Sequence, residues 1–193
     1  FRLQGDSLLA RSVKKFFLLA FYSISFWCFF EICDLRLQNW SYHGLPASWP
    51  ERWLGYFLSY ATVIPALKEL EIFWYGFFKG KGPALFRLRA SRSLLASFYA
   101  SGAVCLVLSL VWPRLFFPLI WLAFIFLLEP LNYSHKFPSL MAEVEQGKWD
   151  RFWSVVLAGL SAGFFWEFWN FWAGSHWEYY LPYLNFGRIF QMP

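Results

Sequence analysis

Charge is scarce in this chain. Only 15% of its 193 residues are Asp, Glu, Lys or Arg, against roughly 25% in ordinary soluble domains, too few to cover a solvated globular surface. Cysteine is rare as well: Cys28, Cys33 and Cys105 all fall inside apolar runs, where the thiol behaves as a small hydrophobe, so no disulfide framework is expected. A glycine-rich phosphate loop is missing, which argues against a nucleotide-cradling enzyme. The apolar runs are continuous and lack the period-two alternation of a transmembrane β-barrel. Histidines number three, and His43, His135 and His176 all fall in predicted loops. No two of them share a helix face, so neither paired haem ligation nor a di-iron pattern is supported. No metal and no cofactor are expected.

What fills the chain is apolar and aromatic: 59% hydrophobic, with 25 Phe and 13 Trp. Several runs reach the roughly 17–25 residues that a bilayer-spanning helix needs. The expected fold is all-α, a single polytopic transmembrane bundle covering residues 1–193. Five spans are read at 16–33, 53–78, 94–112, 115–128 and 152–173. The second ends either near Leu70 or near Phe78. Pro113-Arg114 reads as a tight turn into the fourth, which is short and carries Pro118. Phe137–Arg151 reads as amphipathic. The abrupt end at Gln191-Met192-Pro193 reads as the break point of a longer polypeptide.

The net charge of +5 could suit nucleic acid, but the basic residues lie between apolar spans. Segments on one side of the expected membrane hold twelve Lys and Arg, and those on the other hold only Arg36, Arg52, Arg114 and Arg188. The positive-inside rule then puts the N-terminus in the cytoplasm. No nucleic-acid partner is expected. Trp40, Trp49, Trp53, Trp112, Trp172 and Trp177 form an outer aromatic belt in this arrangement.

The two ends of the chain resemble each other. Phe30-Glu31-x-x-Asp34 is followed by Trp40-x-Tyr42 and Pro46; Trp166-Glu167-x-x-Asn170 is followed by Trp177-x-Tyr179 and Pro182. Both copies leave the outer end of an odd-numbered span, so a parallel internal repeat is expected, with both loops on one vestibule. Ser23, Trp27, Glu31 and Asp34 fall on one helix face; Gly159, Gly163, Glu167 and Asn170 fall on another. The two glycines would admit a close neighbouring helix.

Intramembrane carboxylates are costly and are functional candidates by default. Glu167 and Glu31 lead, each able to donate a proton or hydrogen bond if it sits protonated. Glu69 is a third candidate, facing the same cavity as Glu31, while Lys68 and Glu71 can pair at i, i+3. Asp34 and Asn170 either orient the carboxylates or cap their helices. Trp40, Tyr42, Trp166, Trp177 and Tyr179 complete the expected binding set. Glu129, before Pro130 at a helix end, reads as structural. Gly159-Leu160-Ser161-Ala162-Gly163 matches a hydrolase elbow only as text, since that elbow needs a strand-to-helix turn.

The segment from Gly163 through Trp166-Glu167-Phe168-Trp169-Asn170, with Trp177, Tyr179 and Pro182, is similar to a family of uncharacterised bacterial polytopic membrane proteins. The resemblance is strongest over 125–193 and looser over 30–69. It implies residence in the bacterial cytoplasmic (inner) membrane and carries no activity. Asp34, Trp40-x-Tyr42, Pro46 and the Pro65–Glu69–Glu71–Phe73 series also resemble the small membrane-embedded lycopene cyclases, although Lys68-Glu69 stands in place of an adjacent glutamate pair. Two functions are therefore expected. One is handling of a lipophilic ligand, an isoprenoid, polyene or lipid, by carboxylate acid–base chemistry. The alternative is a non-catalytic subunit or scaffold in contact with membrane lipids and other membrane subunits.

Overall fold

A computed structural model describes residues 7–183 together with Gly187, Ile189 and Phe190. Nearly all of the regular structure is helical: α1 (Leu8–Arg11), α2 (Val13–Leu37), α3 (Trp49–Phe78), α4 (Arg92–Val111), α5 (Pro113–Phe116), α6 (Leu119–Ser134), α7 (Leu140–Glu145) and α8 (Asp150–Trp172). Two short strands, β1 (Trp40–His43) and β2 (His176–Tyr179), interrupt the pattern.

Three helices, α2, α4 and α8, are long and apolar enough to cross a membrane. Only 11% of the apolar stretch of α2 and of α4, and 22% of that of α8, is buried within the chain. Phe17, Leu35, Leu160 and Trp172 accordingly stand exposed. Such surfaces are costly in water and at ease in hydrocarbon. α3 runs unbroken to Phe78 over 30 residues and carries Lys68, Glu69 and Glu71 within it; α6 has 16 residues. Within the amphipathic stretch at 137–151, α7 forms and Asp150 and Arg151 already begin α8.

The chain divides into two compact units. One is Lys79–Phe152, built on a hairpin of α4 and α6 whose close approach needs Gly102. A Cβ there would press on the Leu127 side chain. Ser109 Oγ donates to the carbonyls of Cys105 and Phe116, tying the end of α4 to α5. Asp150 accepts from the amides of Gly80 (2.8 Å) and Gly82 (2.9 Å). Glu129 does take a structural part: it accepts from Ser139 Oγ and the Met141 amide and so holds the start of α7.

The other unit comprises the described residues of Phe1–Phe78 and Trp153–Pro193. α2 starts under the Ser12 cap and ends at Gln38, whose left-handed backbone (φ 51°) closes the helix. α2 and α3 pack side by side. At their contact the Ser23 hydroxyl accepts from the Ile64 amide (3.0 Å) and donates to the Tyr60 carbonyl. Those two backbone groups would otherwise join each other in the helical ladder, one residue before Pro65. A side chain inserted there keeps both satisfied where proline already removes a donor.

The helix face that α8 buries is Ser154, Ala158 and Ala162. The expected close approach at Gly159 and Gly163 is not found, because a Cβ at either would meet nothing within 4 Å. Alanine at four-residue spacing supplies the smooth face instead.

Candidate functional site

The two sequence motifs meet. β1 and β2 pair antiparallel, with Trp40 opposite Tyr179, Ser41 opposite Glu178, Tyr42 opposite Trp177 and His43 opposite His176. Side chains alternate across a strand, so the four aromatic residues Trp40, Tyr42, Trp177 and Tyr179 share one face, turned inward. Ser41, His43, His176 and Glu178 share the other. Both histidines thus lie in strands rather than loops, with rings stacked at 6.0 Å. The ribbon closes at Gly44, where φ is +61° and a Cβ would overlap the Gly174 carbonyl oxygen. Only glycine fits there.

Beneath the aromatic face sit the leading carboxylates. Glu31 Oε1 accepts from the Tyr42 hydroxyl (2.5 Å) and from Trp27 Nε1 (2.9 Å), one turn earlier on α2. The Tyr42 hydroxyl also lies 3.3 Å from that of Tyr60, and Tyr60 stacks on Tyr56 at 5.9 Å. On the other side Glu167, 8% exposed, bonds the Tyr179 hydroxyl. Burial, and then the Glu31 carboxylate, push the Tyr42 phenol well above its usual value; burial and Glu167 do the same to Tyr179. Both phenols are therefore held as neutral donors.

Asp34 and Asn170 serve the ribbon backbone rather than the carboxylates. Asp34 Oδ1 accepts from the Asn39 amide (3.0 Å). Asn170 accepts from the Trp177 amide and donates to the Trp177 carbonyl, both at 2.8 Å. In each motif the Glu holds a tyrosine of the following strand and the residue three later pins that strand's start or centre.

Among the described residues, the remaining candidates take no part in these hydrogen bonds. Glu69 accepts from the Leu8 amide (2.7 Å) and thereby anchors α1. Lys68 pairs with Glu71 at 2.7 Å. Trp166 is half-buried beside Glu167 on α8. Of the expected belt, Trp49, Trp53, Trp112 and Trp172 are exposed, whereas Trp40 and Trp177 turn inward. Tyr60 and Tyr56 escaped the sequence reading. Their signal was two phenols at i, i+4 in an otherwise apolar stretch of α3, on one face.

Neither the family models, nor the curated proteins, nor the solved structures searched hold a match to this chain.

Proposed function

We propose that this is an integral membrane protein of five spans (α2, α3, α4, α6 and α8) with its N-terminus in the cytoplasm of a bacterial cell. It handles a lipophilic ligand, an isoprenoid or polyene, at the carboxylate–tyrosine cluster under the ribbon. The observation that carries this reading is the convergence of Glu31 and Glu167, from two different helices, on one aromatic face. The two motif copies, with matching Glu-to-Tyr bonds, are read as a duplicated unit.

The chemistry is redox-neutral. Glu167, the more enclosed carboxyl, gives its proton to a ligand double bond; a C–H bond forms and the π pair leaves a carbocation. Rings of Trp27, Trp40 and Tyr60 stabilise that cation through their π faces. An adjacent C–H proton then passes to Glu31, the second carboxylate under the ribbon. Glu31 gives that proton up through Tyr42, and the carboxylate left on Glu167 takes one back through the Tyr179 hydroxyl that bonds it.

Native mass spectrometry of the protein in nanodiscs tests the reading: one isoprenoid or polyene should be retained per chain. Glu167→Gln should keep that ligand and lose its conversion. Normal turnover in this variant would sink the acid role.

A second reading is favoured by one detail. Glu31 Oε1 is already taken by two donors, as suits a carboxylate that simply latches the ribbon. In that case the protein is a scaffold. It should co-purify with other polypeptides at fixed stoichiometry, with only bulk lipid bound.

A further inference from the structure

Two donors on the inward face of the ribbon are buried without a partner: Trp40 Nε1 and Trp177 Nε1. The two indoles occupy equivalent positions in the two motif copies. They lie on the same inward face as diagonal neighbours, since Trp40 faces Tyr179 and Trp177 is two residues before it. Diagonal pairs in such a ribbon are roughly 7–8 Å apart at the backbone, within reach of one small group for side chains this long. The Trp177 indole is near enough to the Tyr179 phenol to influence it, yet makes no hydrogen bond of ordinary geometry.

A buried donor that nothing meets is costly. Two donors left on one face of one ribbon therefore call for an occupant that can accept from both. A hydroxyl oxygen has two lone pairs for them, whereas a hydrocarbon has none. We infer that the lipophile proposed above carries an oxygen function, an alcohol, whose oxygen accepts from the Trp40 and Trp177 indoles. The inference rests on that reading and adds the polar end of the ligand. The carboxylates then act on the hydrocarbon portion while the ribbon fixes its oxygen end.

The full chain, labelled with 15N at tryptophan and reconstituted in phospholipid nanodiscs, is titrated with geranylgeraniol and separately with the hydrocarbon lacking its oxygen. Trp40→Phe and Trp177→Phe assign the two indole resonances and keep the aromatic packing. Both resonances should move with the alcohol and stay put with the hydrocarbon. Retention of the alcohol in native mass spectrometry should fall roughly fivefold in either variant, as loss of one hydrogen bond predicts. Resonances set by the bilayer alone, or equal retention of alcohol and hydrocarbon, overturn the oxygen site and leave lipophile handling intact. Retention of neither probe overturns both. If a variant fails to fold, the titration of the unaltered chain still decides.

Discussion

The two arms of the ribbon solve one problem with different chemistry. In the first arm the latch is Asp34, which can only accept, and it takes the Asn39 amide. In the second it is Asn170, which both accepts and donates, and it takes the amide and the carbonyl of Trp177. The carboxylate of the first arm is half-buried with two donors on one oxygen; that of the second is almost wholly enclosed. An acceptor-only latch serves where the strand's own carbonyls find other partners, as that of Asn39 finds Tyr180. An amide is needed where a strand must be held by both of its backbone groups in a buried place.

Exchanging the latches breaks this comparison most strongly. Asn170→Asp removes the donor to the Trp177 carbonyl and buries a charge at a site only 3% exposed. A loss of about 3–5 kcal/mol is expected, read as thermal unfolding in detergent. Asp34→Asn keeps an oxygen for the Asn39 amide and should cost about 1 kcal/mol or less. Equal effects would mean that the two latches are interchangeable.

Gly44→Ala should come next, at about 2–3 kcal/mol, because it combines a positive φ with overlap on Gly174. Hydrogen exchange at the Tyr180 amide, which bonds across the ribbon to Asn39, would accelerate. Gly80→Ala has a similar φ of +72° but open space around it, so only the backbone strain should appear.

The smallest effect is one of pH. The folded protein holds Tyr42 and Tyr179 above the ordinary phenol value near 10. Their contribution to stability is therefore complete below about pH 10 and is lost as the pH rises beyond it. Between about pH 10 and 12 the thermal midpoint of the unaltered chain should fall, and it should fall less in Tyr42→Phe. Parallel curves for the two proteins would show that the phenol's proton is not part of the latch.

Much of this arrangement was legible in the sequence. Continuous apolar runs set the helices, because a backbone in hydrocarbon must satisfy its own polar groups. Glu31 and Glu167 stood out as charges near the ends of such runs, and the similar order of Glu, Trp and Tyr after each marked them as a pair. Glu69 was misread because its partner, the Leu8 amide, lies sixty-one residues away. Gly159 and Gly163 were misread because a smooth helix face can equally be made from Ala158 and Ala162.

By itself the sequence determined the apolar helices and the two similar motifs, local matters of hydropathy and spacing. Tertiary structure alone decided that residues 40–43 pair with 176–179, that Ser23 enters the ladder of α3, and that Tyr60 joins the Glu31 cluster. Four residues of alternating burial carry no record of their partner strand. A hydroxyl on one helix holds no sign of the carbonyl it will meet on the next. Such pairings depend on distance in space, which the chain sets only when it packs.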